Sequence, residues 1–167
     1  SFIYLIIYSC FIMSVSLQAQ EHFADRYNVS YITMDDGLPH NFIDDIYKDT
    51  RGFLWISTAG GGLSRYDGYE FIHFNPNTPH SKLKSNFIHN VYEDRFHRLW
   101  IVSEGGTDII DLSTLQSVIP NDPKGLLPRF INHPTYIVIL DSQGCIWLQC
   151  DNALHRITFD AEGGIDT

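Results

Sequence analysis

A short segment recurs three times in this chain, and its fixed spacing constrains the fold more than any other feature. In each copy an Asp stands six residues before a Trp, and the copies lie 45 and 47 residues apart. The pairs are Asp49 and Trp55, Asp94 and Trp100, and Asp141 and Trp147. A period of about 40 to 50 residues is what a four-stranded propeller blade requires. The sequence therefore predicts an all-β repeat protein in which each unit is one antiparallel blade.

The pattern inside each unit supports this prediction. In the first unit, short strands predicted at 41–49, 53–58, 63–66 and 69–74 are separated by Asp and Gly turns. The second strands are apolar on both faces, which indicates a sheet packed between two neighbours. Helical periodicity is scarce, and Pro-rich connections at 75–81 and 120–134 separate the units. We place blade 1 at 41–75, blade 2 at 85–120 and blade 3 at 133–160.

The recurring residues are interpreted as structural. Asp49, Asp94 and Asp141 occur once per blade, which indicates a turn former, and the three Trp residues are expected in the core between blades. Gly52 and Gly144 follow their Asp by three residues and can take positive φ. His97 stands at that position in the second unit, which predicts either a left-handed His or a different turn.

The N-terminal residues differ from the rest of the chain. Residues 2–15 are almost wholly apolar, and small and polar residues follow up to Gln20. This order predicts a secretory signal peptide at 1–20 that lacks its first residues, with cleavage after Ala19. An uncleaved N-terminal anchor is the alternative. Residues 21–40 are expected to carry an edge strand at 29–34.

Three blades are too few to close a ring, which typically takes four to eight. Each blade buries its apolar faces only against the next one. We therefore expect the chain to be a partial propeller, part of a larger ring and truncated at its C-terminus.

Composition and motifs exclude several classes of function. The formal net charge is −9 and no basic stripe is present, so this segment is not expected to contact nucleic acid. No His or Cys has a partner at metal-ligand spacing, and no motif nominates a nucleophile. Cys145 and Cys150 lie five apart on one predicted strand, so a disulfide between them is disfavoured. We predict no catalytic residue, no metal and no cofactor.

Candidate ligand contacts come from the innermost strands, which line the channel of a propeller. One equivalent position changes from blade to blade, where other positions repeat. Its polar and aromatic members are Asp44, Asp45, His89, Asn90 and Tyr136. Such side chains suit a sugar, because polar groups bond hydroxyls and rings stack on the pyranose face. A solvated channel wall is the alternative interpretation.

The ordered series of motifs resembles a known family. Asp36-Gly37-Leu38, Asn41, the stretch from Gly52 to Ile56, the stretch from Gly62 to Gly68, and Phe71 are similar to the two-component regulator propeller repeat. The resemblance covers about residues 30–160. It implies the exported, periplasmic sensor region of hybrid two-component histidine kinases, commonly two seven-bladed propellers and a β-sandwich, then a membrane helix and signalling modules. Sensors of this kind commonly detect oligosaccharides and control genes for glycan breakdown.

The resemblance sets the functional expectations. We expect an N-terminal piece of a periplasmic sensor that is not itself an enzyme, from a parent anchored in the inner membrane. The implied partners are the remaining blades, the downstream sensor domains, an oligosaccharide and a second copy of the receptor. The alternatives are an exported propeller enzyme, such as a polysaccharide lyase or glycosidase, and a non-catalytic adhesion or scaffold propeller.

Overall fold

The computed structural model describes residues 29–79 and 82–166, and within them the strands form three antiparallel sheets. The first sheet contains β1 (Ile43–Lys48), β2 (Leu54–Thr58), β3 (Gly62–Tyr66) and β4 (Phe71–Phe74). The second contains β5 (Ile88–Glu93), β6 (Arg98–Ser103), β7 (Gly106–Asp111) and β8 (Gln116–Ser117). The third contains β9 (Thr135–Leu140), β10 (Ile146–Cys150) and β11 (Ala153–Ile157). The signal peptide predicted at 1–20 lies outside the described residues.

Each sheet is a meander in which strands pair in chain order. After β11, one isolated antiparallel β-bridge pairs Phe159 with Ile165. The other two sheets have their fourth strand at this point of the meander. The all-β prediction, with successive propeller blades built from antiparallel strands, is confirmed.

The sheets stack through two apolar cores, and the middle sheet contributes to both. Leu99 and Ile101 pack toward the first sheet, whereas Trp100 and Val102 pack toward the third. Side chains alternate across a strand, so a strand with apolar residues at every position fits only between two neighbours. Each fully buried Leu or Ile contributes about 1.5–3 kcal/mol to folding.

The three Trp residues occupy the same place in each sheet but differ in burial. Trp55 and Trp100 are fully buried because each points at the following sheet. Trp147 is only partly buried, and among the described residues no sheet packs on its side. The Trp of each blade is therefore the residue that packs against the next blade.

The segment where an edge strand is predicted, 29–34, pairs with no strand among the described residues, and its edge strand stays a prediction. Residues 29–33 carry no strand, and Met34–Asp36 form a turn of 3-10 helix. Thr33 caps this turn, because its hydroxyl accepts from the Asp35 N–H and its own N–H donates to the Asp36 carboxylate at 2.8 Å. Such local side-chain bonds offer the backbone an alternative to a ladder.

The segment after this turn covers the outer face of the first sheet. Leu38 is buried, and a Cβ added at Gly37 would lie 3.2 Å from the Phe71 ring. Pro39 lies so close to Gly61 that a Cβ at residue 61 would be 2.8 Å from the proline Cβ. The sequence indicates only a turn here, yet Leu38 and Pro39 are packing residues.

A short helix, α1 (Leu127–Ile131), lies in the Pro-rich connection between the second and third sheets. Leu127 and Phe130 are buried in the core between those sheets. The Asp122 carboxylate accepts from the Leu127 N–H at 2.6 Å. Sequence periodicity does not predict α1, because five residues are too few to show a helical repeat.

Candidate functional site

The recurring Asp organises the turn between the first two strands of every sheet. In the first sheet, Asp49 Oδ1 accepts from the N–H groups of Arg51 and Phe53, and Oδ2 accepts from Trp55 Nε1 at 2.9 Å. Asp94 and Asp141 make the equivalent bonds to Trp100 and Trp147, also at 2.9 Å. One carboxylate therefore fixes both the turn and the indole that packs against the next blade.

The third residue after the Asp is left-handed in all three turns. Gly52 has φ 95° and Gly144 has φ 78°, while His97 has φ 59°. The His97 N–H still bonds the Asp94 carbonyl at 3.1 Å, as Gly52 does to Asp49. Of the two possibilities that the sequence leaves open for His97, the structure therefore shows the left-handed residue in the same turn.

A fourth copy of this turn follows the third sheet. It has no Trp after it, and it was not predicted from the sequence. Asp160 Oδ1 accepts from the N–H groups of Glu162 and Gly164, and Gly163 has φ 84°. The signal for it is an Asp followed three residues later by Gly. Arg98 holds this turn to the second sheet, since its Nη1 donates to the Gly163 carbonyl at 2.7 Å.

Two of the five candidate ligand residues are engaged in bonds between sheets. Asp45 Oδ2 accepts from Asn90 Nδ2 at 2.7 Å and from the Val91 N–H at 3.2 Å. Asn90 Oδ1 in turn accepts from the Val138 N–H at 3.2 Å. Polar side chains thus tie β1 to β5 and β5 to β9. Ile137 occupies the equivalent position in β9 and has no polar side chain to continue the series.

The other three candidates lie where the innermost strands are irregular. In β1, Ile43 pairs with Thr58 and Asp45 with Ser57, which leaves Asp44 without a partner in β2. His89 in β5 is skipped in the same way. In β9 the register shifts across Tyr136 and Ile137. Asp44 is exposed, Tyr136 is 49% exposed, and the rings of His89 and Tyr136 lie 5.2 Å apart.

A buried carboxylate links the first two sheets on the side of the Asp turns. Glu93 accepts from the N–H and the hydroxyl of Thr50, both at 2.7 Å, and contacts His97 Nδ1 at 2.8 Å. Burial raises the pKa of Glu93, but the bonds from Thr50 and His97 outweigh it and hold the pKa below its ordinary 4.5. The ionised form of Glu93 is therefore the one that stabilises this interface.

The Glu93 interaction predicts a specific loss of stability in acid. Because the folded pKa is depressed, the stabilisation is complete above the ordinary pKa and is lost as pH falls through the lowered value. Urea unfolding of the complete gene product should show Glu93→Gln to be less stable than the natural protein above about pH 5, with the difference shrinking below pH 4.5. Glu104→Gln, at an exposed carboxylate, is the control and should match the natural protein throughout. A constant Glu93→Gln deficit down to acid pH would contradict the assignment.

Other kinds of site find no support among the described residues. Within 29–79 and 82–166, no group of three or more His, Cys, Asp or Glu is placed to hold a metal ion. Cys145 and Cys150 are both free and buried. No helix in the described part of the chain is long and apolar enough to cross a bilayer.

The sequence pattern of the family described as two component regulator propeller matches residues 37–60 and 82–105. Those ranges contain the Asp turn and the second strand of the first two sheets. No curated protein sequence matches the chain.

Solved structures with the same fold come from B. thetaiotaomicron. An extracellular domain assigned to a hybrid two-component system is 21% identical, with a TM-score of 0.63 over 81% of this chain and 19% of its own length. Two structures of another extracellular domain, assigned once to a one-component and once to a hybrid two-component system, are 22% and 24% identical. They have TM-scores of 0.58 and 0.55, cover 79% and 75% of this chain, and match over 19% and 18% of their own length. The chain thus spans about a fifth of each of these structures.

Proposed function

We propose that this chain, which matches the two-component regulator propeller pattern at residues 37–60 and 82–105, is part of the ligand-sensing propeller of an exported hybrid two-component regulator. The observation that carries the proposal is the pair of family repeats at 37–60 and 82–105, each of which forms the first two strands of one blade in a stack. The similar solved domains are extracellular, which supports a periplasmic location for this segment.

The sensed molecule is an oligosaccharide, and the response is expression of genes for glycan use. In support, the wall of the innermost strands combines carboxylate, imidazole and phenol groups, which suit hydroxyls and pyranose faces. Asp45 and Asn90 tie successive blades, so a ligand that touches this wall also touches the packing between blades.

Signalling then follows from differential binding. A ligand that binds one arrangement of the sensor more tightly shifts the population toward that arrangement. The parent protein, anchored in the inner membrane and paired with a second copy, passes the shift to a histidine kinase outside this segment. The segment itself binds and does not catalyse.

Two experiments on the complete gene product test this function. Its reading frame should encode further blades, a membrane segment and a kinase, and fractionation should place the propeller in the periplasm. The purified exported region should then bind at least one oligosaccharide by calorimetry and leave it intact by chromatography. Cleavage of the sugar would favour a lyase or glycosidase. Absence of both binding and a signalling module would favour a scaffold, and either result would overturn the proposal.

A further inference from the structure

The innermost strand of every described sheet contains a β-bulge at the same position. Asp44 in β1 and His89 in β5 are each the extra residue between two ladder pairs. In β9, Thr135 pairs with Cys150 and Val138 with Leu148, so Tyr136 and Ile137 both lie opposite Gln149. A bulge interrupts the alternation of side chains and re-aims the extra one. Because the bulge recurs at the equivalent position in all three described sheets, it is part of the repeating unit.

The bulge separates two roles that adjacent residues play. Asp45 and Asn90 follow the bulge, and their side chains are used in bonds to the next innermost strand. Asp44 precedes Asp45 and is exposed, while Tyr136 is half-exposed. In β1 and β5 the residue after the bulge therefore joins the blades, and the bulged residue makes no such bond.

We propose that Asp44, His89 and Tyr136, one bulged residue from each blade, are the ligand-reading positions and that the ligand is an uncharged oligosaccharide. This deepens the proposed sensing function and rests on it. The rings of His89 and Tyr136 lie 5.2 Å apart at an angle of 33°, so two neighbouring blades share one aromatic surface.

The hydrogen-bonding state of His89 agrees with this role. Its Nε2 atom is shielded from solvent and makes no hydrogen bond within the described structure. A buried polar atom without a partner calls for an explanation. The His89 ring, 5.2 Å from that of Tyr136, therefore has a nitrogen that no group of the described protein satisfies.

The negative charge of the innermost strands favours uncharged sugars over acidic ones. On the innermost strands, Asp44 is an exposed carboxylate, Asp45 is bonded to Asn90, and the one cation is Lys48, while the whole chain has a formal charge of −9. An acidic wall repels uronates and sulfated sugars, which need Lys or Arg partners. An acidic wall accepts hydrogen bonds from the hydroxyls of an uncharged sugar without this repulsion.

The test uses the complete gene product and a panel of cellohexaose, xylohexaose, mannohexaose and hexagalacturonate, measured by calorimetry. One uncharged sugar should bind. Tyr136→Ala should then weaken its binding by about tenfold or more, because the ring surface is lost, and Tyr136→Phe should retain the affinity. His89→Ala and Asp44→Ala should also weaken binding.

Tyr69→Ala is the control. Tyr69 is 92% exposed at the turn before β4, so the substitution removes a ring of the same kind away from the innermost strands. It should leave the affinity unchanged. Asn90→Ala should lower the melting temperature, because Asn90 joins blades.

The outcomes separate this inference from the function on which it rests. If an uncharged sugar binds and none of the three bulge substitutions weakens its binding more than Tyr69→Ala does, the reading positions are wrong and sensing stands. If hexagalacturonate alone binds, the charge assignment is wrong. If no sugar binds the natural protein, the proposed sensing of oligosaccharides fails as well.

Discussion

Gly106→Ala is expected to lower the free energy of unfolding of the complete gene product by about 3–5 kcal/mol, a loss at the upper end for single substitutions. Gly106 begins β7 with φ 115°, a conformation that side chains rarely adopt. An added Cβ would overlap the carbonyl oxygen of Ile131 and lie 2.8 Å from its carbon. The obstacle is backbone at the end of α1, so it cannot move aside as a flexible side chain could.

Gly68→Ala is the control for the backbone conformation alone. Gly68 has φ 104°, close to that of Gly106, but an added Cβ there would meet no atom within 4 Å. We expect only the conformational cost, about 1–2 kcal/mol. Urea unfolding followed by circular dichroism measures both. Equal losses at the two positions would show that the close approach of Ile131 is unimportant.

Asp94→Ala is expected to lower the free energy of unfolding by a similar amount, about 3–5 kcal/mol. The substitution leaves the buried Arg98 guanidinium and the Trp100 indole N–H without their carboxylate partner. Asp94 is 3% exposed and accepts from Trp100 Nε1 at 2.9 Å and from Arg98 Nε at 2.7 Å. Arg98 is itself 8% exposed. Its guanidinium also lies over the Phe96 and Phe159 rings, so the loss should spread to the turn that closes the third sheet.

Two further variants separate the parts of this interaction. Asp94→Asn keeps an acceptor for the indole but loses the charge that pairs with Arg98, so its effect should be intermediate. Asp141→Ala removes the same turn and indole bonds in the third sheet, where the Asp lies 4.0 Å from Arg156 Nε and makes no Arg bond as short as the 2.7 Å bond of Asp94. Its effect should be clearly smaller. Thermal unfolding of the three variants measures the order, and equal losses for Asp94→Ala and Asp141→Ala would contradict it.

The parts of the fold that the sequence predicts well are those that repeat. The Asp, the left-handed residue and the Trp recur because one short turn needs all three together, and the needed contacts lie within seven residues. Because this chemistry is local, the sequence predicts the blades. For His97 it predicts either a left-handed residue or a different turn. The 3-10 turn at Met34–Asp36 was not predicted, since its capping by Thr33 depends on two side-chain bonds.

The candidate site was predictable as a region and not as individual residues. Equivalent positions on the innermost strands pointed to Asp44, Asp45, His89, Asn90 and Tyr136 as one group. Which of them bond between blades depends on the bulge, because one extra residue changes the direction of every side chain near it. A single sequence does not show a bulge, since the partner strand defines it.

By itself, the sequence determined the repeat, the antiparallel blades and the two-sided apolar strands, because turn chemistry and strand periodicity act between residues close in the chain. The tertiary structure alone decided that Leu38 covers the first sheet, that Glu93 joins Thr50, and that Asp45 and Asn90 link successive blades. These pairs lie on different elements, and no local pattern encodes their distance. They form because stacked sheets bring equivalent positions of successive blades together.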